Sequence, residues 1–396
     1  MSWSKIKIEW LTHVVTKGTT PTKRQGFADA GVNFIKAEAL NGDSALNLFG
    51  GFFISDDVHQ SLKRSILQEG DVLLTIAGAN IGKCGIVEER HLPANTNQAV
   101  GIMRVDQKRI APRFLYYWFK QPQTFRYIQG LNAQAAQPNI NLNMLRNIEV
   151  PVPSMSEQQR ITDILSAYDD LIENNRRRIQ LLEQAARLLY KEWFVRLRFP
   201  GHEHVKIIDG VPEGWRKRCL SEIADITMGQ SPKSIYYNEA GNGLPFHQGV
   251  SNFGVRFPTH ETYCTVKNRI AEPGDILFSV RAPVGRINIT SDKIVIGRGL
   301  AAIRSNRGQQ NLLFYALKSH FFKEDMMGGG AIFAAITKKD LHSVELVQPT
   351  ERLATMFMQQ VQPVDQQIAN LQQTNNNLHA ARDLLLPKLM NGEVAV

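Results

Sequence analysis

The chain repeats itself: a mixed segment followed by a long stretch of heptad spacing occurs twice within 396 residues. From Ile140 onward the second copy lies 196 residues downstream, so that Ile140 aligns with Ile336 and Pro153 with Pro349. Earlier landmarks align in the same order, at offsets that fall from 211 through 204 to 203. Because insertions collect in loops while a framework is kept, this pattern predicts two copies of one domain rather than a coincidence of common turn residues. The aligned landmarks are Gly18-Thr19-Thr20-Pro21 with Gly229-Gln230-Ser231-Pro232, Gly70-Asp71-Val72-Leu73-Leu74 with Gly274-Asp275-Ile276-Leu277-Phe278, and Ile81-Gly82-Lys83 with Val284-Gly285-Arg286.

Length and composition place the chain among globular proteins of two to three domains, since 396 residues exceed what one core usually serves. No apolar run approaches the length of a membrane span, and the N-terminus lacks the apolar core of a signal peptide. We therefore expect a cytoplasmic chain with no membrane partner. Cys84, Cys219 and Cys264 are odd in number and widely spaced, which predicts reduced thiols rather than disulfides or a zinc site.

The net charge of +9 is concentrated in two regions. Residues 1–150 hold 17 Lys and Arg against 12 Asp and Glu, and residues 201–350 hold 18 against 14. The heptad stretches are nearly neutral, with 8 against 7 and 3 against 4. Positive charge on two separate modules suits two contacts with a polyanion such as nucleic acid, although basic charge alone is weak evidence for it.

The heptad stretches predict two long helices that pack as a coiled coil. Ser154 or Ser156 is expected to cap the first helix. Each helix of about 40 residues would be roughly 60 Å long. Two of them packed antiparallel about a pseudo-twofold axis would act as a spacer between the modules, on the scale of the DNA repeat of about 34 Å. The seam positions, which are also candidate partner contacts, include Ile161, Leu165, Ile172, Asn175, Ile179 and Leu182 in the first helix and Val361, Ile368, Leu371, Asn375 and Leu378 in the second.

Two polar or helix-breaking residues interrupt this apolar pattern. Asn175 and Asn375 each occupy a seam position, where a lone asparagine either fixes register or faces solvent or a partner. Pro363 falls inside the second helix and lacks a backbone donor, so a kink or short break is expected there.

The globular modules have the pattern of α/β or α+β domains. Short β-branched runs bounded by glycine and proline predict strands at Val72–Ile76 and Asp275–Val280. Helices are predicted over Pro112–Phe125 and Leu312–Phe322. The contiguous aromatic residues of the first of these helices are expected in the core rather than stacked on bases.

Catalytic motifs are absent from the sequence. Gly78-Ala79-Asn80-Ile81-Gly82-Lys83-Cys84 has one residue too few for a phosphate-binding loop and has Cys84 where Ser or Thr would ligate magnesium. The aligned Ala282-Pro283-Val284-Gly285-Arg286 lacks the first glycine, so both elements are interpreted as strand-turn-strand. The sequence also lacks metalloprotease, nucleophile-elbow, dinucleotide-binding and adenine-methyltransferase motifs. We therefore expect no metal site and no enzymatic activity in this chain.

In combination, these features resemble the specificity subunits of type I restriction-modification systems over essentially the whole length. The resemblance is carried by the duplicated Gly-x-x-Pro segments, the duplicated Gly-Asp elements and the exit Ile148-Glu149-Val150-Pro151-Val152-Pro153-Ser154 that leads into Glu157-Gln158-Gln159-Arg160-Ile161. The second exit, Val347-Gln348-Pro349-Thr350-Glu351-Arg352, departs from the pattern because it lacks a Glu-Gln-Gln sequence, although a helix is expected to follow it.

The resemblance implies two target recognition domains (1–153 and 199–350) separated by two antiparallel spacer helices (154–198 and 351–396). It implies that each domain reads one half of a split, asymmetric site in double-stranded DNA. It further implies that the helices dock two methyltransferase subunits and, through them, two restriction subunits with motor and nuclease activity. S-adenosylmethionine, ATP and magnesium would then belong to those partners and not to this chain.

Candidate DNA contacts follow from side-chain chemistry and position. Asn and Gln suit adenine edges and Arg suits guanine, which favours adenine for the first module and guanine for the second. Lysines near the Gly-x-x-Pro segments, with one arginine, are candidates for phosphate. The candidate base contacts are Thr75, Asn80, Lys83, Asn95, Asn97, Gln98, His247, Gln248, Asn252, Arg281, Arg286 and Arg298, and the candidate phosphate contacts are Lys17, Lys23, Lys233 and Arg256.

Two other functions are compatible with parts of the pattern. A scaffold protein would use the long helices to assemble partners and the modules to bind protein, but the charge on the modules argues against it. A degenerate fused methyltransferase-nuclease would need a catalytic domain, for which the two repeats leave no room.

Overall fold

The structure, a computed structural model, describes residues 3–40, 46, 51–78, 80–131, 139–208, 210–321, 335–394 and 396. The chain forms two compact units, the first of Met1–Arg177 with Leu371–Val396 and the second of Arg178–Asn370. Each unit therefore contains one globular module and segments of both long helices. The predicted domain limits at 153, 198 and 350 separate the globular modules from the long helices, whereas the limits of the compact units lie within those helices. The predicted limits stay a prediction.

The described residues of the first unit form three sheets. The largest is antiparallel, in the order β2-β8-β5-β6. A second sheet, β4-β3-β7, pairs β3 with β7 in parallel, and β1 pairs with β9. The strands are β1 (Ser4–Lys7), β2 (Thr12–Lys17), β3 (Val32–Ile35), β4 (Phe52–Ile54), β5 (Val72–Thr75), β6 (Cys84–Ile86), β7 (Ala94–Thr96), β8 (Val100–Val105) and β9 (Glu149–Val152).

Helices cover one side of the first module and lead out of it. The predicted single helix over Pro112–Phe125 is wrong: Gln121 is extended before Pro122, as a residue preceding proline prefers, and this divides the segment in two. Its aromatic residues are buried as predicted. The helices are α1 (Ile8–Leu11), α2 (Asp56–Ser61), α3 (Pro112–Lys120), α4 (Pro122–Gly130), α5 (Leu142–Arg146) and α6 (Met155–Tyr190), the last of which continues into the second unit.

The second unit repeats this plan. Its antiparallel sheet has the order β13-β21-β18-β19, and its mixed sheet has the order β14-β16-β15-β20-β17 with a parallel β15-β20 pair. Two further strand pairs are β12-β22 and β10-β11. The strands are β10 (Ile207–Ile208), β11 (Val211–Pro212), β12 (Arg216–Cys219), β13 (Ala224–Met228), β14 (Tyr237–Asn238), β15 (Leu244–His247), β16 (Tyr263–Cys264), β17 (Ile270–Ala271), β18 (Ile276–Ser279), β19 (Ile287–Ile289), β20 (Ile294–Ile296), β21 (Leu300–Ser305) and β22 (Glu345–Gln348).

Helices of the second unit occupy equivalent places in the order of elements. The predicted helix over Leu312–Phe322 is confirmed as α8, except that Phe322 lies outside the described residues. A π-helical turn, Lys191–Val195, follows α6. The helices are α7 (Leu220–Ile223), α8 (Gln310–Phe321), α9 (Lys338–His342) and α10 (Glu351–Met390), whose C-terminal part belongs to the first unit.

Equivalent strands pair in equivalent register, which confirms the internal repeat. Val72 lies opposite Ile86 and Met103 in the first unit. The aligned Ile276 lies opposite Ile289 and Ile303 in the second unit.

The repeated Gly-Asp element is a turn locked by a buried carboxylate. Gly70 and Gly274 have φ of 82° and 86°, a left-handed conformation that favours glycine. The following Asp71 is fully buried and receives two bonds of 2.8 Å from the Arg104 guanidinium. Asp275 is bound by Arg304 at 2.5 Å. The motif thus serves folding, which explains its repetition without a catalytic role.

The start of α6 is fixed to the first module. The Ser154 and Glu157 side chains bond each other and each other's backbone N–H, so Ser154 is the capping residue. Gln158 is fully buried, accepts a bond from the Ala111 N–H at 2.8 Å and donates to the Pro153 carbonyl at 3.0 Å. The Glu-Gln-Gln sequence is therefore a structural link between helix and module.

Within the first unit, α6 packs antiparallel against the C-terminal part of α10. Asn175 donates to Asn375 at 2.9 Å, and Asn375 donates to the Ile172 carbonyl at 3.3 Å. The two asparagines satisfy each other in a buried seam, which favours the register-fixing interpretation over solvent exposure. Leu182 and Leu378 are half-buried, and the remaining predicted seam residues are buried.

Within the second unit, the end of α6 packs against the start of α10. The Phe357 ring lies 5.8 Å from that of Tyr190 and 5.0 Å from that of Phe194, measured between centroids. The pairing of the end of one helix with the start of the other makes this contact antiparallel as well.

A kink or short break was predicted at Pro363; the break is wrong, since α10 is continuous through that position, and the kink stays a prediction. Pro363 lies on the exposed face, and so does Gln359, whose carbonyl loses its usual donor. Water can bond that carbonyl there, so the helix continues.

Candidate nucleic-acid interface

In both units the Gly-x-x-Pro segment crosses the end of a strand pair at very short range. The Gly18 N–H donates to the Val100 carbonyl at 3.0 Å, and the Gly229 N–H donates to the Leu300 carbonyl at 2.9 Å. A Cβ on Gly18 would lie 2.2 Å from the Asn97 carbonyl oxygen, and one on Gly229 would lie 2.2 Å from that of Gly297. Only glycine permits this approach, which explains why the motif occurs in both copies.

Replacing Gly18 by alanine should lower the free energy of unfolding by about 1–3 kcal/mol, because the rigid backbone at Asn97 must shift to admit a methyl group. Chemical unfolding followed by circular dichroism measures the change. Gly130→Ala is the matched control: a Cβ there meets nothing within 4 Å, so stability should be unchanged or slightly higher. Equal stability of the two variants would contradict the close approach.

The crossing gathers polar side chains on a surface that we term the first edge, formed by Lys17, Thr19, Thr20, Arg64 and Gln98. The Thr20 hydroxyl donates to the side-chain amide oxygen of Gln98, and Arg64 donates to the Thr19 hydroxyl at 3.1 Å. Lys17, Arg64 and Gln98 are exposed. The first edge therefore offers amide, hydroxyl and cationic groups to one ligand.

An equivalent second edge is formed by Ser231, Lys233, Gln248 and Arg298. Ser231 donates to the Gln248 amide oxygen at 2.8 Å and accepts from the Arg298 N–H at 3.1 Å. Lys233, Gln248 and Arg298 are exposed. The hydroxyls of Thr20 and Ser231 occupy aligned positions, so the repeat itself identifies them, although sequence reasoning did not select them. Arg64 has no comparable signal in the sequence.

The elements that resemble a phosphate loop are hairpin turns, as predicted. Gly82 donates to the Thr75 carbonyl at 2.9 Å between β5 and β6, and Gly285 donates to the Ser279 carbonyl at 3.0 Å between β18 and β19. The turns display Asn80 and Lys83, which are half-buried, and Arg281 and Arg286, which are exposed. These four predicted contacts are thus accessible in whole or in part.

A family model described as the type I restriction modification DNA specificity domain matches residues 2–184 and 212–380. The chain belongs to this family. It is a DNA specificity subunit of the type I restriction-modification class with two specificity domains, as the sequence resemblance predicted.

Individual relatives and a solved structure agree with that assignment. The chain is 30% identical to the putative MjaX specificity subunit of Methanocaldococcus jannaschii, over 100% of this chain and 94% of the relative. It is 26% identical to the MjaIX specificity subunit of the same organism, again over 100% and 94%. The S subunit structure from M. genitalium is 18% identical, with a TM-score of 0.58 over 98% of this chain and 96% of that chain. This structural likeness confirms the fold class.

Two predicted base contacts of the first specificity domain are wrong. Thr75 is fully buried in β5. Asn95 is fully buried in β7, where it donates to the Leu62 carbonyl and the Ser65 hydroxyl, each at 3.3 Å, and is bonded to His59. Every residue of β5 and β7 is buried, so both faces of these strands are covered and neither side chain is available to DNA.

Two predicted contacts of the second specificity domain are also wrong. Arg256 is 2% exposed and bonded to carboxylates, so it cannot reach phosphate. His247 is 4% exposed, and its Nε2 shares a 2.8 Å hydrogen bond with Nδ1 of His260, which in turn is 3.1 Å from Asp292. The remaining candidates, Asn97 and Asn252, are half-buried.

The buried His247 predicts a pH-dependent stability. Burial, and to a lesser extent the neighbouring His260, lowers the pKa of His247 to about 4. The unfolded chain, with a histidine pKa of about 6.5, binds this proton more readily, so stability falls as pH decreases from about 6.5 to about 4, by about 2–3 kcal/mol. Urea unfolding across this range should show a steeper pH dependence for the wild type than for His247→Gln. Replacement of the exposed His204 by Gln serves as control, and equal slopes for His247→Gln and the wild type would contradict the assignment.

Three further observations complete the description. Among the described residues, no helix is both long and apolar enough to cross a membrane. Over the same ranges, no three His, Cys, Asp or Glu side chains are placed to hold a metal ion. Cys84 and Cys264 are buried free thiols and Cys219 is a half-buried one, as predicted.

Proposed function

We propose that this specificity subunit reads a split, asymmetric sequence in double-stranded DNA, one half-site for each domain, and directs adenine methylation or restriction by partner subunits. One observation carries the proposal: the two edges share a scaffold but differ in the side chains that they expose. Gln98 on the first edge and Arg298 on the second are equivalent, because each lies two residues before the strand residue whose carbonyl accepts from the glycine of the Gly-x-x-Pro segment. A shared scaffold with different donors and acceptors suits two different half-sites in one asymmetric target.

The division of roles along each edge follows from side-chain chemistry. The amides of Gln98 and Asn80 suit adenine, whereas the guanidinium groups of Arg281, Arg286 and Arg298 suit guanine. We therefore propose that the first domain contacts mainly adenines in its half-site and that the second domain contacts mainly guanines. Base-by-base competition for binding tests this bias, and its absence would remove it.

Phosphate contacts are assigned to the exposed lysines Lys17, Lys23 and Lys233. Such contacts hold the domain in register on the DNA without reading its sequence. Each phosphate that a lysine neutralises makes the affinity for DNA fall more steeply with salt concentration. Replacing one lysine by glutamine should weaken binding to all sequences alike and reduce the salt slope by about 1.

The long helices are proposed to dock two methyltransferase subunits and, through them, restriction subunits. Outside the buried seam these helices expose large apolar side chains, including Leu171, which is 51% exposed, and Leu181, which is 65% exposed. These side chains are proposed as partner contacts, because docking would remove their apolar surface from water. S-adenosylmethionine, ATP and magnesium are assigned to those partners, and this chain is proposed to perform no chemistry itself.

Methylation mapping tests the proposal in cells that carry the chain with its neighbouring methyltransferase. The expected result is a split adenine-methylation motif that disappears when this chain is deleted. Such cells also test the proposed cytoplasmic location, because methylation requires access to the DNA. An active methyltransferase without a chain-dependent motif would overturn the proposal.

A further inference from the structure

Each unit contains the same half-buried carboxylate where its module meets the helices. In the first unit the Tyr117 hydroxyl donates to Asp169 of α6 at 2.8 Å. In the second unit the Tyr315 hydroxyl donates to Asp365 of α10 at 2.7 Å. The aspartates lie 196 residues apart and the tyrosines 198, so the two pairs are copies of each other. Each copy is stabilised by a cation, since a carboxylate withdrawn from most of its water is costly without one.

In the first unit the cation comes from a helix. Arg382 of α10 donates to Asp169 at 2.6 Å, and its side chain is 4% exposed. Lys120 lies 3.7 Å from the same carboxylate. The seam position that aligns with Arg382 in the other copy is Ala186, which is buried and too short to supply a charge.

In the second unit the cation comes instead from a loop of the module. Arg256 is bonded to Asp365 and donates to Glu183 of α6 at 2.7 Å and to the Tyr315 hydroxyl at 3.2 Å. Its guanidinium also lies 4.2 Å from the centre of the Phe314 ring. A loop residue thus takes the place that a helix residue occupies in the first unit.

The charges around Arg256 balance, which makes the contact a stable anchor. Lys318 donates to Glu183 at 2.9 Å, and Asn311 donates to Asp365. Burial raises the pKa of Glu183, but the positive charges of Arg256 and Lys318 outweigh this effect, so the pKa lies below its ordinary value. The carboxylate is therefore ionised at neutral pH and holds the arginine.

The loop that carries Arg256 is a compact hairpin over residues 248–260. The Thr259 N–H donates to the Asn252 carbonyl at 2.9 Å, and the Gly254 N–H donates to the Asn288 side chain at 3.1 Å. Gln248 of the second edge begins the hairpin. Arg256 therefore ties to the helices a segment whose other end lies at the candidate DNA interface.

We propose that Arg256 is a positioning residue for recognition by the second specificity domain. By supplying from the hairpin the cation that α10 supplies in the first unit, it fixes the hairpin against the helices and sets the placement of Gln248 and Asn252 at the half-site. This inference rests on the proposed function, because it assumes that the second edge reads DNA. It predicts that loss of Arg256 affects the second half-site and leaves the first intact.

A relocated charge separates positioning from simple stabilisation. In the full chain with its methyltransferase, Arg256→Ala should lower the melting temperature and relax base discrimination at the second half-site at least tenfold. Adding Ala186→Arg returns a cation to the position used in the first unit. This double variant should recover the melting temperature but not the discrimination, because the hairpin remains untethered. Val255→Ala, an exposed neighbour on the hairpin, is the control and should change neither quantity.

Methylation mapping of the wild type and variants tests the proposed function and the positioning role of Arg256 in one experiment. Absence of a chain-dependent motif in the wild type is a failure of the proposed function itself. Wild-type discrimination at the second half-site in the double variant would overturn the positioning role and leave only a structural ion pair. If the double variant does not fold, Arg256→Lys decides: it keeps the charge but loses the fork that joins Glu183 to Asp365. We expect relaxed discrimination at the second half-site only, and unchanged discrimination would overturn the proposal.

Discussion

Replacing Asp169 by alanine should lower the free energy of unfolding of the first unit by about 3–5 kcal/mol, the range for a buried ion pair that loses one partner. The substitution removes the partly buried partner of Arg382, leaving its guanidinium bonded to the exposed Asp383, and it removes the acceptor of Tyr117. Because the side chain of Asp169 is itself 20% exposed, the lower part of this range is expected. Chemical unfolding of the full chain measures the loss.

The neighbouring carboxylate provides a matched control. The Asp170 side chain is 70% exposed, and its oxygen lies 4.0 Å from Arg113. Asp170→Ala should therefore change stability by no more than about 0.5 kcal/mol. An equal loss in both variants would mean that net charge, and not the buried contact, is responsible.

The Asp169 carboxylate also makes the stability of the first unit sensitive to acid. Burial raises the pKa of Asp169, but Lys120 and Arg382 outweigh this effect, so the pKa lies below its ordinary value. The stabilisation that ionised Asp169 gives the folded first unit is therefore present at neutral pH and is lost as the pH falls through the pKa of Asp169 in the folded state. Asp169→Asn should flatten that acid dependence.

Replacing Phe357 by alanine should lower the free energy of unfolding of the second unit by about 3–5 kcal/mol. Phe357 is fully buried, and its ring lies within 6.0 Å of those of Tyr190, Phe194 and Tyr315. Trp193, at 5.9 Å, is a fourth neighbouring ring, and rigid rings fill a cavity poorly, so we expect a cost at the upper end of this range. Thermal unfolding with separate fluorescence and circular dichroism signals would measure it.

Gln359→Ala on the same helix is the control, because Gln359 is exposed and its loss should change stability by no more than about 0.5 kcal/mol. A small effect at Phe357 would show that the aromatic cluster repacks freely.

The repeat made most of the architecture predictable from sequence. Aligned Gly-Asp elements led to β5 and β18, and heptad spacing led to α6 and α10. Where the prediction failed, a local preference was outweighed or a boundary was missed. Pro363 did not interrupt α10, because its face is exposed to water, whereas Pro122 ended α3, because the residue before it is extended.

The site was less predictable, because side-chain type does not reveal which way a side chain faces. Asn95 and Arg256 have the chemistry of DNA contacts, yet both are buried by partners distant in sequence. Arg256 is held by Glu183 and Asp365, 73 and 109 residues away, and nothing local announces such contacts. Gln98 and Arg298 were selected correctly as surface residues, because short turns between strands are usually exposed.

The composition of the first unit has a consequence for how the protein is made. Its core includes Leu386 and Leu389 together with Ile161 and Leu165, so it draws on a segment that a ribosome synthesises only after residues 178–370. During synthesis the N-terminal domain therefore lacks part of its core, and the apolar residues that will contact α10 stay exposed until the second unit has emerged. Cotranslational folding usually proceeds from the N-terminus, but here the second unit can close first. We therefore expect the first unit to depend more on chaperones than the second. We also expect truncation of the C-terminal segment to prevent folding of the first unit in particular.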